Sequence, residues 1–287
     1  MTDRPLDQVG RSPSNGRILV LLDGSRMSLA ALDAAVEIAA RTGTEVQGVF
    51  VEELNILRSA GYGFSCEVGS VSGVSRPVSV AELERRMQRL ANQARRALES
   101  AVAQQGVRST LSVARGRVVE EVLALTEPED LLVLGRVGWS APDARLGSTA
   151  RGLLRKSPAR LLLWCEKQAT PQSRIVVFLN DHEDANHRAA KAAADVVRGA
   201  GQPVTVLLGP ASSLSKASLA SLKRSIGVPD SEVRVQQLPA TDPETVTQIL
   251  RKERASQLVL SRRCALLCEP GAEHFLAALD LPVIVTP

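Results

Sequence analysis

Aromatic residues are scarce: two Trp, one Tyr and four Phe, or 2% of 287 residues. A core must therefore be built from Ala, Val, Leu and Ile, and little is left for the stacking platforms that hold single-stranded nucleic acids. Histidine occurs only at His182, His187 and His274. The first two sit among acids in "NDHEDANH", where helix-start surface residues are a better reading than metal ligands. The four cysteines, Cys66, Cys165, Cys264 and Cys268, form no C-x-x-C and no second pair at metal spacing. They read as reduced thiols in a cytoplasmic protein.

Other signals are missing as well. No apolar run approaches the roughly 20 residues of a membrane helix, so no membrane partner is expected. The opening "MTDRPLDQVGRSPSNG" lacks an apolar signal-peptide segment, and residues 1–16 read as a flexible polar tail. There is no G-x-S-x-G and no Walker A sequence. Nothing identifies a nucleophile with its base, so no catalytic residue and no metal ligand is assigned. The formal charge of +4 is spread along helices and interleaved with acids, as in "AELERRMQRLANQARRALES". Such spacing describes a solvated helix face, not a nucleic-acid footprint.

What is present is an alternation. "RILVLLD" (Arg17–Asp23) is a short continuous apolar run, as expected of a strand buried on both faces. "SLAALDAAVEIAARTG" follows with Leu29, Leu32, Val36 and Ala40 at helical spacing and Gly43 as its stop. "TEVQGVFVEE" is a second strand. A Gly-, Ser- and Val-rich stretch at 59–79 shows no helical period and reads as a long excursion. Then come a helix over Val80–Gln105, a strand in "VRSTLSVARG", a helix stopped by Pro128, the strand "DLLVLG", a helix over Ser148–Lys156 and the strand "ARLLLWC".

The pattern then repeats: "RIVVFLND" mirrors "RILVLLDG", "QLVLSR" mirrors "LLVLGR", and "LPVIVTP" ends the second half as "ARLLLWC" ends the first. A length near twice the roughly 150 residues of a typical domain agrees with a tandem duplication. The expected fold is α/β, with two tandem five-stranded, mostly parallel sheets carrying helices on both faces. The expected boundaries are a first domain at 17–166, a linker at 167–173 and a second domain at 174–287. The two final apolar strands are sheet edges that need cover, and are expected to pair with each other or across a homodimer.

In open parallel sheets ligands sit beyond the carboxyl ends of the strands, where strand order reverses. Two such ends are unusual. Asp23-Gly24-Ser25 follows the first strand. Gly135-Arg136-Val137-Gly138 follows the fourth, and leads to Gly147-Ser148-Thr149 at a helix start. Glycines let backbone amides approach an anion, a helix N-terminus supplies free N–H donors, and two hydroxyls add to them. Arg136 and Arg145 could bring counter-charge. Asp23 could accept ribose hydroxyls or help hold a metal, with a base lying against Val49–Val51. The same residues also suit an ordinary βα turn with a Ser/Thr-rich helix start and an Asp turn residue.

These segments resemble the universal stress protein family over nearly the whole chain. "RILVLLDGSRMSLAALDAAVEIAARTGTEVQGVFVEE" looks like its opening. "LLVLGRVGWSAPDARLGSTARGLLRKSPARLLLW" looks like its closing segment, with the hallmark G-x2-G-x9-G followed by Ser or Thr. The resemblance implies an adenine nucleotide α-hydrolase-like, Rossmann-like fold. It also implies ATP or AMP, with Mg2+, as ligand of the first domain. Asp23 and Val51 would contact adenosine, and Gly135, Arg136, Gly138, Gly147, Ser148 and Thr149 would surround ribose and phosphates. Here eight residues, not nine, separate Gly138 from Gly147, and Leu21 stands where nucleotide binders often have proline. In the second half Asn180 replaces the aspartate, and Ser261 and Cys264 stand for Gly135 and Gly138. No equivalent nucleotide site is expected there. The implied role is a stress-response protein that senses a nucleotide or contacts a still unknown protein partner, with at most slow ATP hydrolysis. The alternatives are a tandem scaffold that binds no nucleotide, and an adenylating enzyme that releases pyrophosphate.

Overall fold

Ile18, Leu19 and Val20 are buried, and three successive buried residues require cover on both faces of a strand. That need places their strand inside a sheet. The computed structural model describes residues 16–69, 71–136, 146–166, 170, 172–210, 212, 214–268 and 271–287. In the first half the chain runs through β1 (Ile18–Leu21), α1 (Arg26–Thr42), β2 (Val46–Glu53), α2 (Leu54–Ala60), β3 (Cys66–Val68), β4 (Ser75–Pro77), α3 (Val80–Ala103), β5 (Ser109–Gly116), α4 (Val118–Leu125), β6 (Leu131–Gly135), α5 (Ser148–Lys156) and β7 (Arg160–Trp164). The second half follows as β8 (Arg174–Leu179), α6 (Glu183–Ala200), β9 (Val204–Leu208), α7 (Lys216–Ile226), β10 (Val233–Gln237), α8 (Pro243–Lys252), β11 (Ala255–Ser261), α9 (Ala265–Cys268), α10 (Ala272–Ala278) and β12 (Val283–Thr286).

The two five-stranded units join into one ten-stranded sheet, ordered β10-β9-β8-β11-β12-β7-β6-β1-β2-β5. Every pairing in it is parallel except β7 with β12, which is antiparallel in the register Leu161↔Val285, Leu162↔Ile284, Leu163↔Val283. An antiparallel join between mirrored strand orders relates the halves by an approximate twofold axis. The two closing strands thus cover each other within the chain, and the edges left open are β5 and β10.

Helices cover both faces, and each apolar layer runs without a break through the join. One layer packs α1, α3 and α6 on the sheet and includes Leu162 from β7 and Ile284 from β12. The other packs α4, α5, α8 and α10 and includes Leu161, Leu163, Val283 and Val285. Both α1 and α6 stop where glycine takes the left-handed conformation, at Gly43 (φ 67°) and Gly201 (φ 60°).

A reciprocal pair of arginines fastens the halves. Arg136, just after β6, donates to the Leu276 and Leu281 carbonyls at 2.9 and 3.3 Å. Arg262, just after β11, donates to the Arg155 and Ser157 carbonyls at 3.3 and 2.5 Å. Each guanidinium so reaches carbonyls at and just beyond the end of a helix in the opposite half, α10 or α5, where unpaired carbonyls concentrate negative charge.

The 59–79 stretch departs from the expected structureless excursion. β3 and β4 pair antiparallel, Cys66 with Pro77 and Val68 with Ser75, and Glu67 meets Arg86 of α3 at 2.6 Å. Neither three-residue strand has a buried residue, so neither shows alternation in the sequence.

Candidate functional site

β1 has β2 on one side and β6 on the other, so chain direction across the sheet reverses at its carboxyl end. The loops after β1 and β6 diverge to opposite faces there and leave a crevice. A cavity of about 610 Å³ opens at this point, within the range of small-molecule sites. Its wall brings together Asp23, Val51, Gly135, Arg136, Gly147, Ser148 and Thr149. Gly138 and Arg145 lie outside the described residues.

Four helix starts line this cavity, those of α1, α2, α4 and α5, and at the first three a side chain of the protein accepts from an amide. At α1, Ser25 accepts from the Ser28 amide at 3.1 Å, while Asp23 Oδ1 accepts from the Ser25 amide at 2.9 Å. At α4, Glu53 Oε2 accepts from the Val118 amide at 3.4 Å. The other oxygen of Glu53 accepts from Asn55 in α2 at 3.4 Å. The fourth start, α5, begins at Gly147 with no side-chain cap. Its first-turn amides and the Ser148 and Thr149 hydroxyls have no hydrogen-bond partner among the described residues. A helix N-terminus left in this state has N–H donors to offer an anion.

The two described glycines of the hallmark have different reasons to be glycine. A Cβ on Gly135 would lie 2.9 Å from Met27 Cβ and 3.0 Å from the Met27 carbonyl carbon, so close packing of α1 on β6 excludes one. A Cβ on Gly147 would meet nothing within 4 Å among the described residues, and its φ of −58° suits any residue. The fold accounts for the first glycine and leaves the second unexplained.

Arg136 does not supply the counter-charge expected of it. Its side chain is buried and turned toward the second half, where it makes the two carbonyl contacts given above. Burial lowers its pKa against the opposing pull of Cys165 and Asp280. Asp23 is an exposed rim residue whose Oδ1 closes the turn into α1, as its turn reading expects. Val51 lies on the wall beside Ile56, Met87 and Leu90. Sequence reasoning missed this apolar side, because the α3 residues carry the same signal as any core-facing helix position. It also missed Glu53, whose only trace is an acid two residues before Asn55 at a helix start.

In the second half the matching positions are filled by the chain itself. Asn180 Oδ1 accepts from the His182 amide at 2.8 Å, repeating the Asp23 turn. The buried Asn186 pairs with both backbone groups of Asn180, at 2.9 and 2.7 Å. Ser261 Oγ accepts from Arg263 N at 3.1 Å. Cys264 and Leu266 are fully buried, and burial pushes the Cys264 thiol pKa up to about 12. Among the described residues, no group of three or more His, Cys, Asp or Glu could hold a metal ion, and no helix is long and apolar enough to cross a membrane.

The profile of the Universal stress protein family matches residues 14–163. A universal stress protein from Archaeoglobus fulgidus has a similar structure, with a TM-score of 0.66 at 16% identity, over 94% of this chain and 95% of that one. A functionally unknown protein from Pseudomonas aeruginosa matches with a TM-score of 0.55 at 20% identity, over 95% of this chain and 92% of that one. At these identities the likeness is one of fold. No curated protein sequence matches the chain.

Proposed function

Because this chain belongs to the universal stress protein family, as a tandem member with two halves of one fold, we propose that its first half binds an adenine nucleotide, ATP or AMP. The observation that carries this reading is that, among the described residues, the α5 start has no side-chain cap in a cavity where the starts of α1, α2 and α4 are satisfied. The base lies against the apolar side formed by Val51, Ile56, Met87 and Leu90. The free oxygen of Asp23 accepts from ribose hydroxyls. The α5 amides with Ser148 and Thr149 take a phosphate, and no atom of the described residues stands within 4 Å of a Cβ on Gly147 to exclude it.

The charges on this wall shape the preference. Its described carboxylates are Asp23 and Glu53, and its one arginine is committed to the second half. Mg2+ would therefore arrive with the phosphates, whose oxygens make up for the shortage of protein ligands. Metal removal should weaken ATP binding and leave AMP binding nearly unchanged.

The protein senses the nucleotide, or meets a partner in its bound state, without fast turnover. The buried side chains around Asn180, Ser261 and Cys264 argue against a matching site in the second half. A cytoplasmic setting fits four cysteines that form no disulfide. A homodimer would use the open β5 or β10 edge, since β7 and β12 occupy each other.

The continuous sheet and the paired arginines favour a second reading, a rigid scaffold that needs no nucleotide. Equilibrium binding of labelled ATP and AMP to the full chain separates the two. Saturable binding lost on Gly147→Val supports the nucleotide site, and no binding of either supports the scaffold. Pyrophosphate release above background would instead mark an enzyme.

A further inference from the structure

The duplication provides an internal control at the other end of the sheet, where strands begin. Arg17 precedes β1 and Arg174 opens β8, equivalent positions by strand register. Arg17 is answered by Asp130, which accepts from Nη2 at 3.1 Å, with Glu127 at 3.8 Å. Arg174 has Glu253 at 3.4 Å, and Glu253 is shared with Arg234 at 3.8 Å and with the Thr205 hydroxyl at 2.8 Å. The same register replaces Asp130 by Ser256, Thr110 by Arg234, Thr126 by Lys252 and Pro128 by Arg254. At these four positions a carboxylate has gone and three cations have come, while Arg108 is matched by Glu232.

These cations surround a space. Arg174, Arg234, Lys252 and Arg254, with Gln172 and Glu253, line a cavity of about 280 Å³. Arg254 is the one non-glycine residue with positive φ among the described residues, at 50°. The turns after α1 and α6 use glycine for this conformation. Here the chain keeps an arginine in it, and the guanidinium donates to Gln172. An outlier of this kind is a pointer to function. Arg174 donates to Thr205 Oγ1 and to the Val204 and Glu232 carbonyls; burial lowers its pKa, and so does the Arg234 charge, against Glu253 and Glu232. Favourable interaction with the end of the α8 dipole accounts for Lys252. It accounts neither for Arg234 on β10 nor for an arginine in a glycine conformation.

We infer that this cavity is an oxyanion site for a small ligand with at least two negative charges, a phosphate monoester or pyrophosphate, built into the half that lacks the glycine hallmark. Arg234 and Arg254 supply forked donors, Lys252 a mobile point charge, and Arg174 a fixed floor held by Glu253. The site draws nothing from the first-half cavity.

The test is calorimetric titration of the full chain with inorganic phosphate and with pyrophosphate at low ionic strength, where such contacts are least screened. Arg234→Glu with Lys252→Glu, both solvent-facing, should weaken pyrophosphate binding of a Gly147→Val chain by at least roughly tenfold and leave the unaltered first-half cavity's affinity for adenosine, which carries no phosphate, unchanged. Arg254→Gly should weaken pyrophosphate binding comparably while the melting temperature holds or rises, a combination that a purely structural arginine does not give. Absence of millimolar binding by the unaltered chain overturns the proposal. So does pyrophosphate binding that the double variant leaves unchanged in the Gly147→Val chain, or that disappears on Gly147→Val alone.

Discussion

Gly135 and Gly147 belong to one sequence hallmark, yet substituting them should produce opposite phenotypes. At Gly135 even a methyl group must displace the first turn of α1, since Met27 backbone and Cβ atoms stand 2.9–3.1 Å from where it would lie. Overpacking against backbone costs about 1–3 kcal/mol, so Gly135→Ala should lower the free energy of unfolding by that amount. At Gly147 the backbone tolerates a side chain, and no atom of the described residues lies within 4 Å of a Cβ there. Gly147→Val should cost only about 1 kcal/mol, for a poorer helix start. Its new methyl groups, however, occupy the approach to the α5 amides. Losing one or two charge-assisted hydrogen bonds of about 1.5–3 kcal/mol each should weaken nucleotide binding by roughly ten- to ten-thousandfold. Urea denaturation reads the first quantity and equilibrium titration with ATP and AMP reads the second. Unchanged affinity in Gly147→Val would refute the assignment of the α5 start as the anion contact. A fully stable Gly135→Ala would refute the packing account of that glycine.

Three further outcomes follow from the described contacts. Arg136→Ala orphans two carbonyls of the second half and should destabilise the chain by about 2–4 kcal/mol; a loss below about 0.5 kcal/mol in denaturant titration would remove the arginine fastening from the account. Both apolar layers cross the β7–β12 join, so calorimetry should record one cooperative transition, and Leu162→Ala should lower it as a whole at a cost of about 2–5 kcal/mol. Two separable transitions would contradict this. Cys264 is buried with its thiol pKa raised to about 12, above the roughly 8.5 of an unfolded cysteine. Its protonated form is favoured by the fold, so its contribution is present below the unfolded value and is lost as pH rises toward 12. Native thiol titration at pH 8 should therefore label the exposed Cys66 and Cys268 and spare Cys264; labelling of Cys264 at the same rate would show that its burial is not maintained.

Part of the molecule was legible before any coordinates. The run Arg17–Asp23 could only be a strand covered on both faces, because an uninterrupted apolar stretch leaves no side for water. The spacing of Leu32 and Val36 required a helix, and Gly43 ended it. The repetition of these signals from Arg174 onward established the duplication. Loop residues near Gly147 and Asp23 were legible as candidates because strand ends in a parallel sheet are where ligands can reach free backbone groups.

Tertiary structure decided the rest, since it depends on which groups meet across distance. Nothing local in "LGR" tells that Arg136 reaches Leu276 and Leu281 instead of a phosphate, or that Met27 makes Gly135 obligatory. Whether the two closing strands would join within one chain or between two was open, because an unpaired strand edge is satisfied equally by either partner. The union of two sheets into one of ten strands is a choice made by the paired edges, not by the residues that form each strand.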